Sequence, residues 1–410
     1  MRAVVRRGLE GPAKPIQRSS SRSVAPPSND ELLNGVCPYF TMFPISFPKR
    51  ALGSDSRKGL VVADPFCGRG TTLYAARLRG HFAYGVDANP TAVAISAAKL
   101  AHATPSSILA AYDSIARQKR AVEVPIGAFW ESAYEGSTLK SLCHIRSALL
   151  ADCESASRLA LRAICLGILH GPLRKTVPSY ISNQMPRTFA PKPKYSVAYW
   201  NDNSLVAPKV DLRELIAKKA KRFFGTRIAR PSGKVSLGDS RLSETLPKLL
   251  ADKQVDWIIT SPPYYGMRTY LTDQWLRLWF LGGSSSPVYE AENQVSHSTC
   301  QDFADDLKKV WNNLGAVAKK SCKMVIRFGS IGERAVDPLQ IIKTSLEDTK
   351  WRIQTIHNAG SSAGGRRQAN HFLKDAALAR PEYDIWATIR PSQARRPPSR
   401  LAATRGKRKE

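Results

Sequence analysis

The sequence predicts an α/β fold, an open and mostly parallel sheet wound on both faces by helices and interrupted by a helical, loop-rich insertion. Two observations predict it. Short apolar runs alternate with helix-length segments on both sides of a long middle stretch, the pattern of successive β-α-β units. Two of those runs end in punctuation that suits ligand binding, a glycine turn after Ala63 and a proline turn after Thr260. In an open α/β sheet, ligands sit outside the carboxyl ends of the strands.

The first element is Leu60-Val61-Val62-Ala63, a strand running into Asp64-Pro65-Phe66-Cys67-Gly68-Arg69-Gly70-Thr71-Thr72. Helix follows from Leu73 to Arg79. The second strand, Ala83 to Val86, ends in Asp87-Ala88-Asn89-Pro90, and an alanine-rich helix runs from Thr91 to Ala103. Gly68 and Gly70 let the backbone approach a ligand closely. Asp87 stands about 20 positions beyond the turn and ends the second strand, the place of a ribose-binding acid. The third glycine of the dinucleotide fingerprint is missing, because position 73 is leucine. That argues against a pyrophosphate ligand and for a smaller nucleoside.

Residues 105–232 interrupt the sheet. Their first part has helical spacing through Leu139, Leu142, Ile145, Leu149 and Leu150, then Leu159 to Leu169. The second part, Arg174 to Trp200, carries prolines at 178, 186, 191 and 193, which argue against long regular structure. Aromatics at 180, 189, 195, 199 and 200 alternate with basic residues such as Arg187, Lys192 and Lys194. Such interleaving suits contact with phosphates and bases; a cover over the site is the other reading. A basic helix follows, Leu212 to Phe224.

The sheet resumes with strands over 234–238 and 255–261, helices Thr272 to Leu281 and Cys300 to Lys319, and strand Met324 to Phe328. Helix Pro338 to Glu347 and strand Trp351 to His357 come next, and strand Tyr383 to Ile389 closes the sheet. Between the last two strands a glycine loop ends in Arg366-Arg367, either a phosphate clamp or a plain hairpin loop. Ser261-Pro262-Pro263-Tyr264 puts a hydroxyl, a proline-fixed carbonyl and an aromatic ring at a strand's carboxyl end. Those groups suit a planar ring bearing an exocyclic amine, with two acceptors for its N–H bonds and a stacking face.

The motifs D-P-F-x-G-x-G-T-T and S-P-P-Y together resemble those of the DNA amino-methyltransferases that act on cytosine N4 or adenine N6. The resemblance implies a Rossmann-like S-adenosylmethionine-dependent methyltransferase sheet. It implies Ser261, Pro262, Pro263 and Tyr264 as the catalytic loop, with Ser261 and the Pro262 carbonyl accepting from the amine and Tyr264 stacking on the base. For the cofactor it implies Asp64 near the methionine amine, Phe66 against a ring, backbone access at Gly68, Gly70 and Thr71, Asp87 on the ribose, and Asp239 reading the adenine amine. Cys37 to Pro48 resembles the segment that closes over the methionine end; an apolar lead-in packing on the sheet is the alternative. Serine at the first position of the catalytic loop leans toward cytosine N4. The order of glycine loop, insertion and catalytic loop is the reverse of many S-P-P-Y relatives and is compatible with a permuted sheet. Ring-carbon methyltransferases use a cysteine after proline, and the chain has no Pro-Cys pair.

Composition fits a nucleic-acid partner. The 410 residues hold 62 Lys+Arg against 33 Asp+Glu, a formal net charge of +29. Such a surplus attracts polyanions with an affinity that falls as salt rises. The expected partner is double-stranded DNA, with a cognate restriction endonuclease as a further candidate. Basic tails at 1–28 and 391–410 flank a cofactor half at 29–104 and a catalytic half at 233–390. No apolar run is long enough to span a bilayer. The Arg- and Ser-rich start reads as a basic tail rather than a transit peptide. Seven cysteines without a C-x-x-C pair suit a reducing cytoplasm, and with seven dispersed histidines they predict no metal. The rival readings are an RNA or tRNA base methyltransferase and a non-catalytic DNA-binding protein on the same fold.

Overall fold

The computed structural model describes residues 28–39, 43–118, 121–172, 179–185, 190–228, 233–265, 271–288, 299–329, 336–361 and 381–391. Residues 1–27 and 392–410 of the predicted tails, the glycine loop from 362 through Arg366-Arg367, and Arg187 with Phe189 lie outside these residues.

Seven strands form one sheet: β1 (Val61–Asp64), β2 (Phe82–Asp87), β3 (Gly233–Leu237), β4 (Val255–Thr260), β5 (Ala318–Gly329), β6 (Trp351–Ser361) and β7 (Pro381–Ile389). Their order is β3-β2-β1-β4-β5-β7-β6. The pairs from β3 to β5 are parallel, and β7 pairs antiparallel with both β5 and β6. The expected doubly wound, Rossmann-like sheet is therefore what the chain forms. The central strands β1 and β4 are buried along their whole length, which is why they read as unbroken apolar runs.

The last strand does not lie at the sheet's edge. It wedges between β5 and β6, and Arg327 faces Asp384 across the β5–β7 register with hydrogen bonds of 2.7 and 2.8 Å. The strand β5 begins at Ala318, so the helix expected to reach Lys319 stops at Val317. The Lys319-Lys320-Ser321 run lies at the entry of this long strand, inside the register shift between the Val255–Ala318 and Trp257–Lys323 pairs.

Helix α1 (Ser46–Gly53) precedes β1, α2 (Thr71–Leu78) follows it, and α3 (Pro90–Leu100) follows β2. Phe47, Leu52, Leu73 and Ala76 pack with Val62, Trp257, Ile259 and Val325 on one face of the sheet. In the interrupting stretch come α4 (Pro105–Ala116), α5 (Ala128–Ala133), α6 (Gly136–Ala151), α7 (Ala156–Ile168), α8 (Pro193–Asp202) and α9 (Leu212–Phe224). They share a core with α3 and with α11 (Trp275–Phe280). The remaining helices, α10 (Thr245–Leu250), α12 (Cys300–Val317) and α13 (Pro338–Leu346), cover the opposite face through Leu246, Phe303, Leu307, Trp311 and Ile342.

The helix α8 corrects the reading of its proline-rich segment. Pro193 occupies the first turn, where a missing N–H costs nothing, so it starts a helix rather than preventing one. Among the described residues no helix is long and apolar enough to cross a membrane.

Candidate active site

The turn after β1 is built from two left-handed glycines, Gly68 at φ +49° and Gly70 at φ +76°. A side chain at Gly70 would meet Ser96 Oγ at 2.6 Å, while one at Gly68 would meet nothing within 4 Å and face open space. Ser96 Oγ donates to the Gly68 carbonyl at 2.8 Å and fixes the turn from α3. Thr71 opens α2 and is buried.

Two carboxylates hold this turn. Asp64 Oδ1 accepts from Phe66 N at 3.1 Å. Asp87 Oδ2 accepts from Gly68 N at 2.7 Å, and its Oδ1 accepts from Asn89 N at 2.9 Å. Asn89 caps α3 through Thr91 N and donates from Nδ2 to the Tyr39 hydroxyl at 3.1 Å. The segment around Tyr39 thus reaches the carboxyl end of β2, while Phe47 beyond it packs on the sheet. The alternative reading, an apolar lead-in packing on the sheet, describes Phe47.

The proline turn meets the glycine turn because β4 lies directly beside β1, with Val62 opposite Trp257 and Ala63 opposite Ile258. Thr260 Oγ1 donates to Asp64 Oδ1 at 2.6 Å. From the other direction, Thr72 Oγ1 donates to the Ile259 carbonyl at 3.2 Å. Ser261 and Pro263 are half-buried at this rim, and Pro262 is buried.

Tyr264 departs from expectation. Its ring is only 3% exposed and sits edge-on to Phe328, with centroids 5.3 Å apart. Its hydroxyl donates to Glu382 Oε1 at 2.8 Å, at the start of β7. The ring is enclosed, and its contacts fasten the loop to β5 and β7.

Asp239 follows β3 on the same rim. Gly238 N donates to the Asp87 carbonyl at 3.1 Å, and Ser240 Oγ to the Pro65 carbonyl at 2.7 Å. Arg241 forks onto Asp239 and reaches Asp306 at 2.7 Å with its remaining arm. Burial pushes the Asp239 carboxyl up, but the Arg241 fork more than offsets it and leaves the group below its usual range. Asp239 is therefore already committed to a cation, with only its remaining lone pairs open to a ligand. Phe66 lies nearby, edge-on to Trp311 at 6.4 Å.

Desolvation sets the charge of the other two acids. It raises the Asp64 carboxyl to about 7, against the hydrogen bond from Thr260 and weaker help from Thr72 and Phe66. It raises Asp87 to about 6. Burial also pushes the Cys67 thiol well up, so this cysteine is an inert packing group. Asp64 Oδ2 is buried and accepts no hydrogen bond. An orphaned carboxylate oxygen in a dry turn is costly unless a ligand donor completes it. The ammonium of a methionine-derived cofactor is such a donor, and the open space at Gly68 admits one. The residues present fit S-adenosylmethionine.

The basic–aromatic segment is mostly structural in its described part. Tyr180 and Trp200 are buried, and Trp200 Nε1 donates to the Gln184 carbonyl at 3.0 Å. Alternation along a loop carries no fixed facing, so it could not separate packed rings from free ones. Lys192, Lys194 and Tyr195 are exposed. Trp275 Nε1 donates to the Pro191 carbonyl at 2.8 Å, and Lys192 offsets part of the upward push that burial gives the Asp273 carboxyl. These lysines therefore neighbour the chain that leaves the proline turn. Sequence reasoning missed Arg69, Lys99 and Arg277, three buried cations behind the glycine turn. An arginine between two cofactor-turn glycines was the available signal.

Residues 14–98 match a family described as N6_N4_Mtase, DNA methylase. No curated protein matches the chain. Among solved structures, the rRNA methyltransferase AviRa from Streptomyces viridochromogenes is 14% identical, with a TM-score of 0.36 over 90% of this chain and 96% of its own. An rRNA methylase from Streptococcus thermophilus is 6% identical, with a TM-score of 0.32 over 86% and 99%. An S-adenosylmethionine-dependent methyltransferase from Clostridium acetobutylicum is 7% identical, with a TM-score of 0.31 over 84% and 90%. Likenesses this shallow carry no argument about substrate.

Proposed function

We propose that this chain, which carries the DNA amino-methyltransferase signature over residues 14–98 on a Rossmann-like methyltransferase sheet, methylates an exocyclic amine of a base in double-stranded DNA. The observation that carries the reading is the 2.6 Å bond from Thr260 to Asp64. It joins the glycine turn to the proline turn at one rim, so a donor held by the first would face an acceptor held by the second.

S-adenosylmethionine supplies an already activated methyl group. Asp64 would accept from its ammonium, Asp87 would accept from the ribose hydroxyls, and the remaining lone pairs of Asp239 would read the adenine amine. The Ser261 hydroxyl and the Pro262 carbonyl would accept the two N–H bonds of the target amine. An amine conjugated to a ring is a poor nucleophile, and two acceptors favour a more tetrahedral nitrogen and stabilise the positive charge that forms on it. Alignment contributes several further kcal/mol. A base in a duplex cannot reach the rim, so the target must be flipped out, at a cost of a few kcal/mol. Lys192 and Lys194 would contact the backbone beside it.

Cytosine N4 is favoured over adenine N6 because serine at position 261 is the N4-leaning choice in the family whose motifs the chain resembles; the hydroxyl itself suits either amine. Transfer of labelled methyl groups to duplex DNA and to tRNA tests the substrate. Sequencing of the modified bases then identifies base, atom and context. Labelling of tRNA alone would replace this reading with the RNA one.

A further inference from the structure

Behind the glycine turn lies a group of basic side chains that no carboxylate pairs with among the described residues. Arg69, between Gly68 and Gly70, is 8% exposed, and its Nε is buried with no hydrogen-bond partner. No hydrogen bond or ion pair joins its guanidinium to any described residue. Lys99 from α3 is fully buried; its Nζ donates to Asn34 Oδ1 at 2.8 Å and to the Arg69 carbonyl. Arg277 from α11 is buried too, donating to the Leu166 carbonyl at 3.3 Å and to Gln274 Oε1 at 2.9 Å. These are neutral acceptors. Among the described residues no carboxylate pairs with any of the three cations.

The three converge on Cys37. Burial raises its thiol, and Arg277, Arg69 and Lys99 each pull it down. Burial holds the Lys99 ammonium well below its ordinary range, with Arg69 adding to the effect. Lysine can relieve its burial by shedding its proton. Arginine cannot, because even at about 10 it stays charged at neutral pH. A guanidinium this far withdrawn from water, with Nε buried and unpartnered, is costly for a fold to hold. It persists where an anion arrives to complete it, and a guanidinium fork matches a carboxylate in two parallel bonds.

The same short turn therefore offers two unmet groups of opposite kind. Asp64 Oδ2 lacks a donor, and the Arg69 guanidinium lacks an acceptor. An amino acid's ammonium and carboxylate would satisfy the pair; a lone phosphate would satisfy only one.

We propose that Arg69 is an anion-binding residue that receives the α-carboxylate of the cofactor's methionine, with Arg277 and Lys99 behind it. This rests on the reading of the turn as a cofactor site. Decarboxylated S-adenosylmethionine keeps the sulfonium, the adenosine and the ammonium and lacks only the carboxylate, so it isolates the contact.

Titration calorimetry on the full-length wild-type protein with both compounds makes the first test. S-adenosylmethionine should bind about tenfold or more tightly than its decarboxylated form, the scale of one lost charge-assisted hydrogen bond. Arg69→Met should abolish that preference by weakening S-adenosylmethionine alone, and Arg69→Lys should restore part of it. Equal affinities in the wild type overturn the proposal without using any variant that must fold. So does an Arg69→Met protein that keeps its preference while losing duplex DNA, which would make the anion a nucleic-acid phosphate. If the wild type bound neither compound, the cofactor reading itself would fall, a result distinct from both.

Discussion

Thr260 donates to Asp64 at 2.6 Å although 196 positions separate them in the chain. One ends β4 and the other ends β1, and parallel pairing of those strands brings their carboxyl ends to one rim. The bond uses only Oδ1 of the carboxylate and leaves Oδ2 buried without a partner. The residue that ties the two loops together is thus also one with an unmet acceptor.

Asp64→Asn should weaken S-adenosylmethionine binding by about 10- to 150-fold, the equivalent of about 1.5–3 kcal/mol for a hydrogen bond to a charged group. The ligand-free protein should lose little stability, because the substitution removes a buried charge and keeps an acceptor for Thr260. Calorimetry with thermal melting separates the two effects. A large loss of melting temperature at unchanged affinity would make Asp64 structural.

The raised carboxyls predict a pH dependence. Unfolded aspartates titrate near 3.9, whereas Asp64 titrates at about 7 and Asp87 at about 6 in the fold. Between those limits the folded chain holds more protons than the unfolded one. The contribution of both groups to ligand-free stability is therefore fullest below about pH 4 and is lost as pH rises toward 7. An ammonium ligand needs Asp64 ionised, so its affinity should climb across the upper part of that window and binding should release protons. Calorimetry in two buffers of different ionisation enthalpy measures this release. Affinity that stays flat from about pH 5 to 7 would contradict it.

Ser261→Ala should reduce turnover by about 10- to 100-fold, as expected for one lost acceptor of about 1–3 kcal/mol, and leave cofactor affinity unchanged. Single-turnover rates beside binding isotherms give both numbers. Parallel losses in rate and affinity would remove Ser261 from the acceptor side.

The enclosed ring of Tyr264 makes it a stability residue. Tyr264→Phe leaves Glu382 without this donor and should cost about 1 kcal/mol, while Tyr264→Ala opens a cavity worth about 3–5 kcal/mol. Denaturant titrations measure both. If Tyr264→Ala left stability intact and abolished only base binding, the stacking role would return.

The seven strands were legible because a buried strand must be apolar and must end where the chain turns. That rule located β1, β2 and β4 within a residue or so. It failed at Ala318 to Lys323, where β5 opens with half-buried or exposed lysines across a register shift against β4. It failed again at Pro193, where a residue that forbids a helix interior starts one. The site was legible as two motifs, Asp64 to Thr72 and Ser261 to Tyr264, because each puts chemistry at a strand's carboxyl end.

What sequence could not supply was facing and partnership. Tyr264 reads as an aromatic in a catalytic loop, and only the fold shows that its ring is enclosed beside Phe328 and its hydroxyl held by Glu382. Asp239 reads as a free acid until Arg241 is seen folded onto it. Arg69 reads as one basic residue among 62, and only burial beside Lys99 and Arg277 reveals an uncompensated charge. The chain by itself determined the strands and the turns, since local polarity and glycine geometry act over a few residues. The tertiary structure decided which charges are met and which are left for a ligand, since desolvation and pairing depend on neighbours hundreds of residues away.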